Sequence, residues 1–337
     1  MSGDTGTRNR MLAFIAAIAG AAALYESYPV TMPLAVAAFL VATLWPVKQW
    51  FDHSLPRLSY LGTSLILLMV LAAFFTALYF CVAQVGQAFS DNWDQLENLY
   101  QRATDWLSRW GIRGVGVQDR SRWIGFGQDM LSQASTVLAY LGFIALLFML
   151  GLPEVARLKR RLGEELGEAE GREITNITEE IAHRLRQYLA VTLLTSVLTG
   201  IASTLWAFAI GLELPLVWGT LNFLLNFIPV IGNLLGIVPP TLYALIQFQD
   251  LTWPLVAFVG FSVIQIVISN FVYPLLQGRS LSLSPLAVVV ALGFWSSVWG
   301  FAGALMAIPL TVTLVVICGR IEVTRWISVL LSNRENQ

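Results

Sequence analysis

Long apolar runs separated by short polar stretches make up most of this chain. Most of these runs reach or exceed the roughly 20 residues that a helix needs to cross ~30 Å of hydrocarbon. Eight hydrophobic units cover residues 11–25, 29–47, 58–89, 134–153, 188–212, 214–249, 251–276 and 281–318. Runs such as 65–71 are apolar on every side, without the alternation of membrane barrel strands. The pattern predicts an all-α, polytopic transmembrane helical bundle with about eight hydrophobic units.

Two of the units, 214–249 and 281–318, are too long for one crossing and carry helix breakers in the middle. Proline lacks an amide donor and clashes with the preceding turn, so a helix bends or stops there. We therefore expect both units to be broken or re-entrant. Gly/Pro-interrupted segments in two halves of a chain also point to the binding region of a transporter. The predicted breakers are Pro229, Gly232, Gly236, Pro239, Pro240, Pro274, Gly278, Gly300, Gly303 and Pro309.

Basic residues at the ends of the units predict their orientation. Arg8 and Arg10 place the N-terminus in the cytoplasm, and the basic cluster at 157–161 stays there, because moving its four charges across would cost about 10 kcal/mol. The predicted organisation is three transmembrane helices in 1–89, an external amphipathic helical excursion in 90–133, a fourth transmembrane helix in 134–153, cytoplasmic amphipathic helices in 154–187, a transport core with broken helices in 188–318 and a cytoplasmic tail in 319–337.

Three points of this organisation stay open. The first unit is either an uncleaved anchor or a secretory signal peptide, and the second unit, which begins at Pro29 with almost no spacer, favours the anchor. An apolar stripe on the predicted helix 92–110 either packs on the protein's own spans or forms subunit contacts. Arg279 favours a cytoplasmic turn, which requires both broken units to be hairpins, whereas eight simple crossings would place it outside.

Polar side chains gather around the first break. Asn222 and Asn226 lie one turn apart and Asn233 follows at the break, while Gln265, Ser269 and Asn270 recur along the next helix. A polar stripe on an intramembrane helix normally faces the bundle interior, where it lines a solute pathway or forms interhelical hydrogen bonds. We predict that these six residues form the substrate pathway. The hydroxyl stripe at 192–203 offers the same two readings.

Composition narrows the class of protein further. Only 12% of the 337 residues are charged while 56% are hydrophobic, and the mean hydropathy is +0.68, so the main partner is a lipid bilayer. The net charge of −1 argues against a nucleic-acid partner. No metal-binding His-Glu-x-x-His, no nucleophile elbow and no phosphate-binding loop is present, so we expect neither an enzyme nor a cofactor or metal.

The two broken segments resemble the autoinducer-2 exporter family of bacterial permeases. The resemblance is carried by LNF at 221–223, NFIPVIGN at 226–233, IVPP at 237–240, NFVYP at 270–274, QGRSL at 277–281, LSPL at 283–286, WG at 299–300, Gly303 and IPL at 308–310. It implies a multi-pass inner-membrane permease that forms a homo-oligomer, with a pentamer as the expected size. It also implies a small-molecule or ion substrate, either the quorum-sensing signal autoinducer-2 or sodium and lithium exchanged for protons.

The residues favour a small polar solute over an ion. An ion exchanger should hold an ionisable group at membrane depth, yet the acidic residues of the broken units, Glu213 and Asp250, lie near helix ends. Neutral amides and hydroxyls dominate instead and suit a small hydroxylated solute. The sequence therefore predicts a permease that exports such a solute. A sodium(lithium)/proton antiporter and a passive channel are the alternatives.

Overall fold

The computed structural model describes residues 19–332, apart from 55–58, 96, 99–100, 102–107, 109–133, 166, 249, 278–282 and 323. Most of the predicted excursion at 90–133, including its apolar stripe, lies outside the described residues, and so does Gly278. The predicted subunit contact through that stripe stays a prediction.

The described residues fold as a set of helices, and the predicted all-α polytopic bundle is confirmed. Six helical segments of this part of the chain are long and apolar enough to cross a membrane. In chain order the helices are α1 (Tyr28–Ser54), α2 (Ser59–Asp91), α3 (Ala134–Glu165), α4 (Gly167–Ala209), α5 (Pro215–Leu225), α6 (Ile231–Phe248), α7 (Thr252–Val267), a π-helical segment (Ile268–Val272), α8 (Tyr273–Gln277), α9 (Pro285–Arg320) and α10 (Arg325–Leu331).

The chain divides into two compact units by its internal contacts. Unit 1 comprises Met1–Leu65, Gly142–Tyr188 and Arg279–Gln337. Unit 2 comprises Ile66–Leu141 and Leu189–Gly278. Each unit therefore contains one of the two predicted broken segments, and each is described in turn below.

Two helices are longer than the hydrophobic pattern indicated. The sequence placed the end of the fourth span at Pro153, but α3 continues through this proline to Glu165. Likewise α4 runs without a break from the polar residues at its start to Ala209. In α3 the single internal proline removes only one main-chain hydrogen bond, so flanking helical residues keep the helix intact.

The broken segment of unit 2 is a helical hairpin. Helix α5 ends at Leu225, the chain turns through 226–230, and α6 returns. We call the end of the hairpin opposite the turn the mouth of unit 2. The Gln247 side chain links the two arms there: it accepts a hydrogen bond from the Glu213 N–H and donates one to the Gly211 carbonyl, both at 2.8 Å. Since residues 213 and 247 meet, the two arms begin and end at the same level. At 1.5 Å per residue, the turn lies about 20 Å from this mouth.

Glycines allow close approach of helices in unit 2. A Cβ atom on Gly232 would lie 1.9 Å from the Leu225 carbonyl oxygen, so only glycine lets α6 start directly against the end of α5. A Cβ on Gly219 would lie 2.6 Å from the Gly200 carbonyl oxygen, so α5 also crosses α4 at backbone distance. Of the two roles considered for the hydroxyl stripe at 192–203 of α4, this close approach favours helix packing.

The broken segment of unit 1 is a second hairpin, formed by the two arms of α9. Trp299 and Gly300 have non-helical dihedral angles, and Gly300 has φ 58° and ψ −137°, which only glycine adopts without strain. The Trp295 indole donates to the Thr311 hydroxyl at 3.2 Å. In a straight helix these residues would be about 24 Å apart. The arms 285–298 and 301–320 therefore fold back on each other.

The second hairpin uses the same device as the first. A Cβ on Gly303 would lie 1.8 Å from the Trp295 carbonyl oxygen, just as one on Gly232 would meet Leu225. The sequence similarity between the two breaks thus corresponds to one structural solution: a glycine after the turn lies against the carbonyl end of the preceding arm. The predicted breaks within 214–249 and 281–318 are present as turns at 226–230 and at Trp299–Gly300. Whether they are re-entrant in a membrane stays a prediction.

The open end of the second hairpin is held by helix α10 and an ion pair. The Ser284 N–H donates to the Leu331 carbonyl at 3.0 Å, which ties the start of α9 to the end of α10. At the other end of α9, Arg320 binds Glu180 of α4 at 2.6 Å, and Glu180 also binds Arg184. Both ends of this hairpin are therefore anchored within unit 1.

Pro46 in α1 leaves one main-chain carbonyl without its helical hydrogen-bond donor, and a side chain from a distant part of the sequence donates to this carbonyl. Pro46 has no N–H, so the Ala42 carbonyl four residues earlier lacks its helical donor. The Arg186 guanidinium of α4 donates to that carbonyl at 3.3 Å. The same principle recurs in unit 2 and shapes the candidate site.

Candidate site at the hairpin turn of unit 2

The turn between α5 and α6 is strained. Val230 has φ +64°, a left-handed conformation that is rare for a β-branched residue. Such a conformation costs about 1–3 kcal/mol and persists only where the surrounding structure enforces it. Hydrogen bonds on both sides supply that constraint: the Ile231 N–H donates to the Pro229 carbonyl at 2.7 Å and the Gly232 N–H to the Ile228 carbonyl at 2.9 Å.

Asn226 ends α5 and reaches the hydroxyl stripe of α4. Its side-chain amide donates to Thr195 Oγ1 at 3.2 Å and to Ser196 Oγ at 3.0 Å. Thr195 is fully buried and its own hydroxyl donates back to the α4 main chain. The turn of the hairpin is therefore attached to α4 through neutral polar groups.

Asn233 lies on the other side of the turn and binds the helix that follows. Its side-chain amide donates to Ser269 Oγ at 2.8 Å. Ser269 belongs to the π-helical segment, in which the Tyr273 N–H donates to the Ile268 carbonyl five residues earlier. Pro274 cannot supply the next α-helical donor, and single π turns of this kind are frequent at functional sites. The predicted break at Pro274 is thus a change of helix type and not an end of the helix.

Asn222 satisfies a main-chain carbonyl that a proline has freed. Pro240 has no N–H, so the Gly236 carbonyl of α6 lacks its helical donor, and Asn222 Nδ2 donates to it at 3.0 Å. The same amide also donates to the Trp218 carbonyl at 3.0 Å. Asn222 is fully buried, and both its amide hydrogens are used by main-chain oxygens. This residue holds the two arms of the hairpin together.

Gln265 of α7 completes this buried set of polar groups. Because both Asn222 amide hydrogens point at carbonyls, Asn222 Oδ1 must accept, and it does so from Gln265 Nε2 at 2.7 Å. This orientation leaves Gln265 Oε1 buried without a hydrogen-bond partner among the described residues. A buried acceptor without a donor costs about 1–3 kcal/mol. We refer to Asn222, Gly236 and Gln265 as the amide clasp.

The six predicted pathway residues do not converge on one point. The structure places them in separate contacts: Asn222 with Gln265, Asn233 with Ser269, and Asn226 with α4. Asn270 is exposed and donates to the Ile266 carbonyl of its own helix at 3.0 Å. Their role as a substrate pathway stays a prediction.

Sequence reasoning did not identify two groups that the structure brings to this region. Thr195 and Ser196 of α4 were read only as part of a general stripe, and the Gly236 carbonyl was not considered as a hydrogen-bond acceptor. A signal for the carbonyl was present, since a proline four residues after a glycine frees that carbonyl in any helix. Nothing in the sequence indicated which side chain would reach it.

The surroundings of the turn are electrically neutral. Glu213 lies at the mouth, where it accepts from the Tyr243 hydroxyl at 2.7 Å, and exposed Asp250 follows α6. The described part of the chain has no group of three or more His, Cys, Asp or Glu residues able to hold a metal ion. The groups around the turn act chemically as neutral hydrogen-bond donors and acceptors.

Six candidate spans and two broken hairpins among the described residues define a multi-pass membrane protein. Residues 12–322 match the family described as AI-2E family transporter. The match covers most of the chain, so this protein belongs to the AI-2E transporter family.

Individual relatives are similar over different shares of the chain. It is 27% identical to the AI-2 transport protein TqsA of Escherichia coli over 316 residues, 90% of each protein. It is 29% identical over 236 residues to a Borreliella burgdorferi protein with a general transport description, which covers 68% of this chain and 65% of that protein. A sodium-lithium/proton antiporter of Halobacillus andaensis is 26% identical over 166 residues, covering 49% of this chain and 46% of the antiporter.

Proposed function

We propose that this protein is an inner-membrane permease that exports a small, neutral, hydroxylated solute, with autoinducer-2 as the first candidate. The observation that carries the proposal is the hairpin turn of unit 2. Its polar side chains Asn226 and Asn233 bind only neutral hydroxyl groups, and they lie about 20 Å from the mouth of the hairpin. Such polarity at membrane depth is costly unless it serves a solute or is fully paired.

The proposal includes the orientation of the two hairpins. In unit 2 the ends of the hairpin are tied at one level through residues 213 and 247, and in unit 1 residue 284, before the first arm, is bonded to residue 331 at the end of α10, the helix that follows the second arm. This arrangement supports two re-entrant hairpins, with residues 278–282 and the chain end after Arg320 in the cytoplasm by the positive-inside rule. The N-terminus is cytoplasmic in the same scheme, and the excursion at 90–133 is external.

Similarity to AI-2 transport protein TqsA supports the choice of first candidate, because it extends over 90% of both proteins. Exchange of sodium or lithium for protons is the second candidate. It is favoured by the similarity to the Halobacillus antiporter. The proposed assembly is a homo-oligomer, and a pentamer is expected from the resemblance to the family.

The test is transport by the purified full-length protein in liposomes. Uptake of labelled AI-2 should be saturable and should show counterflow, which a passive channel does not. Asn226→Leu should keep the fold but bind the solute roughly threefold to tenfold more weakly, because a hydrogen bond contributes about 0.5–1.5 kcal/mol. Asn92→Leu is the matched control, since among the described residues the Asn92 side chain bonds to the Ala88 carbonyl of its own helix end.

The outcomes separate the candidates. Sodium-dependent proton movement without AI-2 uptake would replace the solute exporter by the antiporter. Saturable AI-2 uptake that is unchanged in both Asn226→Leu and Asn233→Leu would keep the exporter but move its solute site away from the hairpin turn.

A further inference from the structure

Gln265 donates a hydrogen bond within the amide clasp, but its carbonyl oxygen Oε1 has no hydrogen-bond partner among the described residues. Its orientation is fixed by a chain of constraints: Pro240 frees the Gly236 carbonyl, Asn222 donates to that carbonyl, and Gln265 donates to Asn222. If the Gln265 amide were rotated by half a turn, two oxygen atoms would face each other at 2.7 Å. The carbonyl oxygen Oε1 is therefore the last group in this series of hydrogen bonds, and it is left as an unpaired acceptor among the described residues.

We propose that Gln265 Oε1 is a solute-binding acceptor, and that it takes a hydrogen bond from a hydroxyl group of a neutral solute. The inference rests on the proposed transport of a neutral hydroxylated solute and adds the atom that recognises it. Gln265 is only 4% exposed, and its oxygen atom is shielded from solvent in this conformation. The solute therefore reaches it when α7 and the hairpin separate, so the described state is the one with the site closed.

The chemistry at this atom selects among ligands. A single neutral carbonyl oxygen accepts a hydrogen bond but repels an anion. A bare cation needs several oxygen ligands at once, and Asn222 Oδ1, the side-chain oxygen bonded to the same amide group, already accepts from Gln265. A hydroxyl donor satisfies the free acceptor with one bond, and this favours a polyhydroxylated neutral compound.

Two variants separate recognition of a solute from stability of the hairpin. Gln265→Met removes both the acceptor and the bond to Asn222, whereas Gln247→Met removes two hydrogen bonds at the mouth of unit 2 and leaves Gln265 and Asn222 in place. We would measure the rise in the thermal unfolding midpoint of the full-length detergent-purified protein with millimolar AI-2 or glycerol, and with sodium chloride against choline chloride. In parallel, AI-2 uptake would be measured in liposomes.

The expected result is that AI-2 or glycerol stabilises the wild type and Gln247→Met, whereas Gln265→Met needs roughly threefold to tenfold more of the compound for the same effect. The inference would be overturned if wild type and Gln265→Met respond equally, or if both variants lose the response to the same extent. It would also be overturned if the wild type responds to sodium alone or to neither hydroxylated probe. Absence of AI-2 uptake with the expected binding pattern would instead contradict only the proposed function.

Discussion

Gly236 lies where the clasp leaves no room for a side chain, and its replacement by alanine tests the clasp directly. A Cβ atom there would stand 2.2 Å from Asn222 Oδ1 and 2.8 Å from Gln265 Nε2, inside van der Waals contact with both. The neighbours cannot move away cheaply, because Asn222 is fully buried and bonded to two main-chain carbonyls. We therefore expect Gly236→Ala to break the clasp.

The magnitude follows from three contributions. Two hydrogen bonds of about 0.5–1.5 kcal/mol each are lost. Overpacking of a buried site adds about 1–3 kcal/mol, and the better helix propensity of alanine offsets about 1 kcal/mol. The expected decrease in the free energy of unfolding is therefore about 3 kcal/mol.

The assay is thermal or chemical unfolding of the purified protein in detergent, with Gly86→Ala as the matched control. Gly86 lies within α2 of the same unit and a Cβ there meets no atom within 4 Å, so this variant should be slightly more stable than the wild type. If Gly236→Ala equals Gly86→Ala in stability, the described close approach is wrong.

A double variant protects the test against a general folding defect. Asn222→Ala removes the side chain that Gly236→Ala would strike. Combining the two should therefore cost clearly less than the sum of the single effects, as expected for residues in contact. Simple additivity would contradict direct contact between these two residues.

Three further outcomes are expected. Val230→Gly should stabilise the protein by about 1 kcal/mol because glycine adopts the left-handed conformation without strain, whereas Ile231→Gly at the start of α6 should destabilise it by a similar amount. If unfolding measurements show the same change for both variants, Val230 is not strained. Gln247→Met should lower the free energy of unfolding by about 1–2 kcal/mol, because two hydrogen bonds at the mouth of unit 2 are lost. Main-chain hydrogen exchange at residues 211–213 should become faster, and unchanged exchange would argue against these two bonds. Arg320→Gln should cost less than about 1 kcal/mol, because its ion pair with Glu180 is partly exposed, and a melting difference that does not shrink in high salt would exclude the ion pair as its cause.

The spans and the breaks could be predicted from the sequence because they depend on local chemistry. A run of apolar residues fixes a span wherever it occurs, and the Pro229 and Gly232 break follows from missing donors and missing side chains. At residue 153 the hydropathy pattern predicted the end of the fourth span, and the helix that carries this span continues to Glu165. A lone proline weakens a helix without deciding whether neighbouring residues prolong it.

The contacts of the candidate site could not be predicted because they join distant parts of the chain. Periodicity placed Gln265 on a polar stripe, but not opposite Asn222, which is 43 residues away in sequence. It likewise placed Asn222 and Asn226 on one helix face, yet the end of α5 sends them to different partners. Only the folded hairpin decides which polar group meets which.

The carbonyl of Ala42 has a consequence for how this protein is made. Pro46 deprives it of its donor as soon as α1 forms, but the arginine that satisfies it lies 144 residues further along the chain. During synthesis α1 is therefore complete before Arg186 has left the ribosome. Nascent chains that end before residue 186 should be held less firmly in the membrane than longer ones, and an insertion or extraction assay on a series of truncated chains would locate the step at which this early helix becomes stable.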